Sequence, residues 1–293
     1  MAGEVWTIGS ILKWTEQYFG TKGVESPRLD AEVLLSHVLQ QERIYLYVHY
    51  DEPLEEAELT AFRELIKQRV RRVPVAYILG LREFMGLDFK VSPAVLVPRP
   101  DTEILVEAVI ERLQAKEKPV FLDIGTGSGA VCLSLLKHLP AAAGCSVDIS
   151  AAALVVAGEN ATVLEVADRI EFFAGDLYAP VQGRLFDAIV SNPPYIPDAD
   201  IAGLEPEVRD HEPHLALAGG TDGLDFYRRL VVQGEEQLNS DGFMAFEVGI
   251  GQAAAVAALA AGTKTLGRTE ILRDYAGIER VVILWKNPAN KAD

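Results

Sequence analysis

From Pro119 to Trp285 the chain alternates short apolar strands with helices, and no other feature restricts the fold as much. Residues 120–124, 144–147, 170–173, 186–191, 243–248, 269–272 and 280–285 read as strands. Residues 128–139, 151–165, 224–238 and 252–261 read as helices. Repeated strand–helix–strand steps imply crossovers, and crossovers build a mostly parallel sheet covered on both faces. The near-continuous apolar run from Phe186 to Val190 fits a strand buried on both sides. The expected fold class is therefore α/β, with a Rossmann-like sheet.

The part before this pattern is different. Ile8, Ile11, Leu12 and Trp14 recur at helical spacing, as do Ala31, Leu34, Leu35, Val38 and Leu39, and Leu59, Phe62, Leu65, Ile66 and Val70. Ser26-Pro27 reads as an N-cap followed by proline at the first helical position. These runs predict a small helical bundle over residues 1–75. Residues 76–98 read as a connector holding a β-hairpin, roughly from Glu83 to Val97. Residues 99–293 form the α/β domain, entered through Pro98-Arg99-Pro100-Asp101 and a helix capped by Asp101 or Thr102.

Composition removes several classes. Lys and Arg number 27 against 43 Asp and Glu, a formal charge of -16. That balance opposes non-specific nucleic-acid binding, which needs positive charge to displace counterions. Cys132 and Cys145 lack disulfide-framework or metal-ligand spacing and read as small buried residues. His211 and His214 read as surface-loop residues, and no metal site is expected. Arg63, Lys67, Arg69, Arg71 and Arg72 form the one basic cluster, read as a solvated helix face or a meeting point for an acidic partner. Met1 to Trp6 lacks the pattern of a signal peptide, and the apolar run at 253–261 is far below the roughly 20 residues of a membrane span. The expected location is the cytoplasm. The tail after Lys286 is polar and expected to fray.

Four motifs fall at the ends of strands. Gly125-Thr126-Gly127-Ser128-Gly129 follows the first strand, with Asp123 just upstream. Such a turn lets backbone approach a ligand closely, although a tight turn without a ligand would also use glycine. The Gly-x-Gly-x-Gly spacing, without a following Gly-Lys-Ser/Thr, favours S-adenosylmethionine over a dinucleotide or triphosphate. Asp148, in Val147-Asp148-Ile149-Ser150, stands 25 residues beyond Asp123 at the end of the next strand. There a carboxylate can accept both ribose hydroxyls; Asp148 or Ser150 would serve equally as a helix N-cap. Asp176 and Leu177 follow the third strand, on the edge expected to face adenine, with Leu177 or Phe173 as ring cover. An ordinary turn aspartate is the other reading of Asp176.

The fourth motif is Asn192-Pro193-Pro194-Tyr195-Ile196-Pro197, at the carboxyl edge of the strand 186–191. Two prolines remove two backbone donors and stiffen the turn. The Asn192 side-chain oxygen and the Pro193 carbonyl remain as acceptors. Together they match the two hydrogens of a planar amine or amide and leave its nitrogen aimed at a methyl donor. Tyr195 is expected to stack on the planar group. Asn192, Pro193 and Tyr195 are thus the candidate catalytic residues, and Pro194 joins them in holding the substrate.

The combination resembles one family, the release factor glutamine methyltransferases, also called HemK-type protein N5-glutamine methyltransferases. The similarity runs from the Ser26-Pro27-Arg28-Leu29-Asp30-Ala31 segment through the four motifs. It continues in Glu205-Pro206-Glu207-Val208, Ala216-Leu217-Ala218-Gly219-Gly220 and Asp222-Gly223-Leu224, and ends at Asp274-Tyr275-Ala276-Gly277 with Arg280-Val281-Val282. Asn-Pro-Pro-Tyr alone is shared with adenine-N6 methyltransferases. The resemblance implies a seven-stranded sheet with an antiparallel last strand and a helical domain that contacts the substrate protein. It implies transfer from S-adenosylmethionine, leaving S-adenosylhomocysteine, to the glutamine of the Gly-Gly-Gln motif of peptide chain release factors. Gly125, Thr126, Gly127, Ser128, Gly129, Asp148, Leu177 and Asn192 would then contact the cofactor. Leu177 departs from the aromatic residue common at that position, and Ala151 from the proline that often follows Asp-Ile-Ser.

The expected chemistry is direct in-line transfer without a dedicated strong base, by a monomer that binds no nucleic acid and no membrane. An adenine-N6 methyltransferase is the alternative, disfavoured by the charge. A non-catalytic cofactor-binding scaffold would show a degraded motif, and both key motifs are intact.

Overall fold

A computed structural model describes residues 5–287. The tail reading, from residue 288 on, and residues 1–4 of the N-terminal reading lie outside the described residues. The chain divides into two compact units. One runs to Gly80 and takes in Glu205–His211; the other holds Leu81–Leu204 and everything from Glu212 on.

The first unit is helical: α1 (Ile8–Thr21), α2 (Pro27–Leu39), α3 (Arg43–Val48), α4 (Glu56–Arg69), α5 (Val75–Leu79) and, from the late segment, α9 (Pro206–Arg209). A reciprocal cap starts α1, in which Thr7 and Ser10 exchange backbone-to-hydroxyl bonds. Its buried stripe is Ile8, Ile11, Leu12, Thr15 and Phe19. Trp14 falls off that stripe. It is exposed and stacks on Tyr18, one helical turn on, with ring centroids 5.1 Å apart. Ser26 makes no side-chain cap bond, so Pro27 alone marks the start of α2. Leu34 and Leu35 of α2 pack with Phe62 and Ile66 of α4.

Arg63, Lys67 and Arg71 of the basic cluster are exposed, as a solvated face requires, but Arg69 and Arg72 are not. Arg69 is only 5% exposed. Its guanidinium meets Asp30 and Glu207, each at 2.7 Å. Arg72 bonds Glu207 at 2.6 Å and the Gly23 carbonyl. A buried guanidinium needs such partners, because stripping its water uncompensated is costly. Burial raises the Glu207 carboxyl, but hydrogen bonds from Arg69 and Arg72 outweigh it and hold the group below its ordinary value. His211 caps the segment, its Nε2 lying 3.1 Å from the Arg71 carbonyl.

The second unit opens with a hairpin of β1 (Leu81–Phe84) and β2 (Leu87–Lys90). It starts earlier and ends sooner than the pattern predicts. Met85 and Gly86 both take positive φ, the requirement of a two-residue hairpin turn, and Pro93 and Pro98 follow where strands cannot continue. Next come α6 (Glu103–Leu113), β3 (Val120–Ile124), α7 (Ala130–His138), β4 (Ala143–Asp148), α8 (Ala151–Val163), β5 (Ile170–Ala174), β6 (Phe186–Ser191), α10 (Asp225–Gly234), β7 (Leu238–Glu247), α11 (Ala253–Ala258), β8 (Leu266–Arg273) and β9 (Glu279–Lys286).

The seven-stranded sheet has the order β5-β4-β3-β6-β7-β9-β8. β3 to β7 are parallel, and β9 is antiparallel to both neighbours. The reversal follows from a tight turn: Asp274 Oδ1 accepts from the backbone of Ala276 and Ile278, and Gly277 sits at φ +83°. Neighbouring residues feed opposite layers. Phe121, Val190, Phe243 and Ile283 pack under α6 and α7, whereas Leu122, Ile189, Met244 and Leu284 pack under α10 and α11. Both cysteines are buried and free. Among the described residues, no helix is long and apolar enough to cross a membrane.

Candidate active site

The carboxyl ends of β3, β4 and β6 converge on a cavity of about 290 Å³. This is where an open α/β sheet changes strand order, and where such sheets hold ligands. Gly125 to Ser128, Asp148, Asp176, Leu177, Asn192, Pro193 and Pro194 all line it. Gly129 closes the loop just behind, as the N-cap of α7 in the left-handed region.

The loop is built for close approach. Gly127 has φ +55°, and a Cβ placed there would meet nothing within 4 Å, so the space above it is open to a ligand. At Gly129, which sits at φ +82°, a Cβ would lie 2.8 Å from Leu133 Cδ1, so a larger residue would meet a strained backbone and require that side chain to shift. Beneath the loop, Thr126 Oγ1 and Ser146 Oγ are 2.7 Å apart, and Ser146 donates to Asp123 Oδ2 at 2.9 Å. Burial pushes the Asp123 carboxyl up to about 7, against the Ser146 bond that lowers it.

Of the two candidate caps of α8, Asp148 and Ser150, one makes the cap bond. Ser150 takes the capping role, its hydroxyl accepting from Ala153 N at 3.2 Å. Asp148 accepts instead from Gly127 N and Ser150 N, at 2.9 and 2.8 Å. Its carboxylate is thereby fixed at the rim of the cavity beside the glycine loop. Asp176 also lines the cavity and pairs through Oδ2 with Arg229. Leu177 stands at φ +48° and buries its side chain against the cavity wall. Phe173, the other candidate ring cover, is not among the lining residues; the Arg184 guanidinium lies 4.9 Å from its ring centroid.

The turn after β6 is braced on all sides. Ser191 donates to the Ile124 carbonyl at 2.6 Å, tying the end of β6 to the end of β3. Gln252 donates to the Tyr195 carbonyl at 2.9 Å. Asn192 Nδ2 donates to Thr102 Oγ1 at 3.1 Å. With the nitrogen engaged, the remaining polar atom of this cavity-lining side chain is Oδ1, an acceptor. Thr102 was expected to cap α6, but it makes no cap bond and serves Asn192 instead. Tyr195 does not line the cavity. Its hydroxyl turns to Glu247 Oε1, 3.4 Å away, and burial raises the phenol above its usual range.

Sequence reasoning missed two buried carboxylates near this turn. Glu212 is 6% exposed and binds Arg99, a cavity-lining residue, and Val97 N. Glu247 ends β7. It is the only acid in the otherwise apolar run 243–248, a signal that was present in the sequence. Among the described residues, no cluster of His, Cys, Asp and Glu could hold a metal ion.

A parallel sheet with one reversed strand, a glycine loop after its first strand and an acceptor-bearing turn after its fourth define a Rossmann-like methyltransferase. Family models agree: residues 10–80 match the PrmC N-terminal domain, and residues 100–203 match the Methyltransferase small domain. Proteins named release factor glutamine methyltransferase from Geobacter sulfurreducens and Moorella thermoacetica are both 47% identical to this chain, covering 95% and 90% of it and 96% and 93% of their own lengths. The chain belongs to the release factor glutamine methyltransferase family. The hMettl16 catalytic domain, solved with a MAT2A 3'UTR hairpin, superposes with a TM-score of 0.57 at 15% identity, over 75% of this chain and 82% of that one. This likeness shows the fold alone.

Proposed function

We propose that the protein methylates the N5 side-chain nitrogen of the glutamine in the Gly-Gly-Gln motif of peptide chain release factors, with S-adenosylmethionine as donor. The observation that carries this reading is the bond from Asn192 Nδ2 to Thr102, which leaves Asn192 Oδ1 as an acceptor at the cavity that holds the glycine loop. The names of the relatives support the choice of substrate.

The cavity fits the cofactor: open space over Gly127 admits a close ligand, and the fixed Asp148 carboxylate suits vicinal hydroxyls. Gly125 to Gly129 and Asp148 would hold the methionine and ribose portions. Leu177 would cover adenine, and the Asp176 oxygen not engaged by Arg229 would accept from its amino group. When bound, S-adenosylmethionine supplies a methyl group already activated on a sulfonium.

An amide nitrogen is a weak nucleophile because its lone pair is delocalised, so the protein's part is orientation and charge localisation. Asn192 Oδ1 and the Pro193 carbonyl would accept the two amide hydrogens, raise electron density on nitrogen and aim it at the methyl group. Pro194 keeps the turn stiff. Tyr195, with its hydroxyl on Glu247, braces the turn from behind instead of stacking on the substrate. No side chain in this arrangement acts as a strong base, and the proton leaves to water after transfer. Residues 1–75 would recognise the release factor, 76–98 would connect, and 99–293 would catalyse. The protein would work as a cytoplasmic monomer that binds no nucleic acid.

The test is incubation of purified protein with release factor and isotope-labelled cofactor, followed by mass spectrometry of the Gly-Gly-Gln peptide. The expected product carries the labelled methyl group on that glutamine in place of one amide hydrogen. Label found instead on adenine in added DNA or RNA would overturn the reading in favour of an adenine-N6 methyltransferase.

A further inference from the structure

The buried face of α8 is Ala153, Ala157, Asn160 and Ala161, and Asn160, the polar one, is 1% exposed. Asparagine is a mediocre former of helix interiors, and its amide is costly to bury without partners. Here both ends of the amide are used. Nδ2 donates to the Ser128 carbonyl at 2.8 Å and to the Lys90 carbonyl at 3.0 Å, and Oδ1 accepts from Lys90 N at 2.8 Å. Two carbonyls on one side and an N–H on the other leave the amide a single orientation.

The two partners lead to different parts of the cavity wall. Ser128 lines the cavity as part of the glycine loop. Its carbonyl falls outside the ladder of α7, which starts with Leu133 N donating to Gly129 O at 2.9 Å. On the far side of the same peptide, Gly129 N donates to Thr126 O at 2.8 Å. The planar 128–129 peptide is therefore pinned at its oxygen and at its nitrogen, and turning it would break both bonds. Small residues allow this approach: a Cβ at Gly129 would lie 3.3 Å from Ala157 Cβ on α8. Lys90 ends β2, whose partner strand β1 carries Phe84 to the cavity wall. Lys90 itself is not among the lining residues.

We propose that Asn160 is a positioning residue for cofactor binding: it locks the 128–129 peptide of the glycine loop and, through Lys90, ties the hairpin that carries Phe84 to that loop, so that two parts of the cavity wall are set together. This rests on the cofactor reading given above. Asn160 touches no reacting atom. It acts by holding the loop in the ligand-binding shape before the ligand arrives, which spares binding the cost of ordering it. Because the tie is shared, a ligand that steadies the loop must also steady the end of β2.

The experiment compares wild type, Asn160→Leu and Leu164→Ala, all full length, by calorimetric titration with S-adenosylhomocysteine. Asn160→Leu keeps a side chain of similar size and removes the hydrogen bonds to the loop and the hairpin. It is expected to weaken binding about tenfold or more, the equivalent of leaving one buried acceptor unpaired. Leu164→Ala truncates a buried residue at the end of α8 and should lower the melting temperature without weakening binding. In methylation of release factor the Asn160→Leu loss should fall on the KM for cofactor, with the rate at saturating cofactor close to that of wild type. Amide exchange is the second readout. S-adenosylhomocysteine should slow exchange of the Lys90 amide in wild type and leave it unchanged in Asn160→Leu. If Asn160→Leu does not fold, Asn160→Asp replaces it: the acceptor for Lys90 N stays, and an oxygen meets the two carbonyls. Equal affinities in wild type and the Asn160 variant, or a loss of affinity matched by Leu164→Ala, would overturn the inference. So would a wild-type Lys90 amide indifferent to the ligand. Wild type that binds no S-adenosylhomocysteine would overturn the cofactor reading and this inference with it, whereas binding without methylation of release factor would overturn the substrate reading alone.

Discussion

Asn192 donates its side-chain N–H to the hydroxyl of Thr102, a residue 90 positions earlier in the chain. That single bond occupies the amide nitrogen and leaves the Oδ1 acceptor of a cavity-lining residue for the proposed substrate contact. Asn192→Ala removes the acceptor and is expected to slow methyl transfer by about 10²–10³-fold, the scale of losing one preorganised hydrogen bond in a transition state. Cofactor affinity should change far less. Quenched single-turnover assays and cofactor titration measure the two effects; an unaltered transfer rate would exclude the assigned role.

The two glycines of the loop should fail differently. Gly127→Ala forces an L-residue to φ +55° in open space, a strain of about 1–2 kcal/mol. Its methyl group also enters the cradle, so the main loss should be cofactor affinity. Gly129→Ala adds a clash with Leu133 to the same backbone strain, and overpacking of this kind costs about 1–3 kcal/mol more. Calorimetric binding and thermal unfolding should therefore rank the variants in opposite orders. A common ranking in both would contradict the geometry.

Arg69 is a test of the helical unit alone. Arg69→Met leaves Asp30 without its cation and Glu207 with Arg72 alone, and removal of one partner from a buried ion pair costs about 3–5 kcal/mol. The pH dependence has a definite sign. The folded value of Glu207 is depressed, so its contribution is present above the usual carboxylate value and is lost as pH falls through the folded one. Urea unfolding at pH 7 should show a large wild-type advantage over Arg69→Met that shrinks on strong acidification. An advantage independent of pH would argue against ion pairing as its origin.

Asp123 should show the opposite sign. Its folded value of about 7 lies above the ordinary value, so the native state binds more protons than the unfolded chain between the two. Stability from this group therefore falls as pH rises from about 4 to about 7. Asp123→Asn is expected to raise the melting temperature relative to wild type at pH 8 and to give no gain at pH 4. Equal shifts at both values would show that burial of the charge is not what matters.

The sheet was legible because periodicity reports burial. The inner strands β3 and β6 and the carboxyl half of β7 feed both layers, so most of their residues are apolar, and that signal survives without any tertiary information. The ligand-facing motifs were legible for a related reason: Gly127 and Pro193 limit the backbone itself. Contacts between distant segments were not legible. Arg69 looked like part of a solvated stripe because its partners, Asp30 and Glu207, come from other elements. Thr102 looked like a cap because helix-start chemistry is local, and only the fold brings Asn192 to it. Trp14 matched helical spacing, yet Phe19 and Ile11 fill the core and leave it outside. Tyr195 was read as a platform on aromatic character alone, whereas its phenol is drawn inward by a carboxylate 52 residues away.

The guanidinium of Arg69 waits for Glu207, which lies 138 residues further along the chain. During synthesis at about 5–20 residues per second, the first five helices leave the ribosome on the order of ten seconds before that carboxylate is made. For this interval the nascent bundle holds an arginine with Asp30 as its remaining acidic partner in the pair. The amino-terminal unit is thus among the first parts to emerge and among the last to be completed, and its final docking step belongs to a segment translated after most of the sheet's parallel strands.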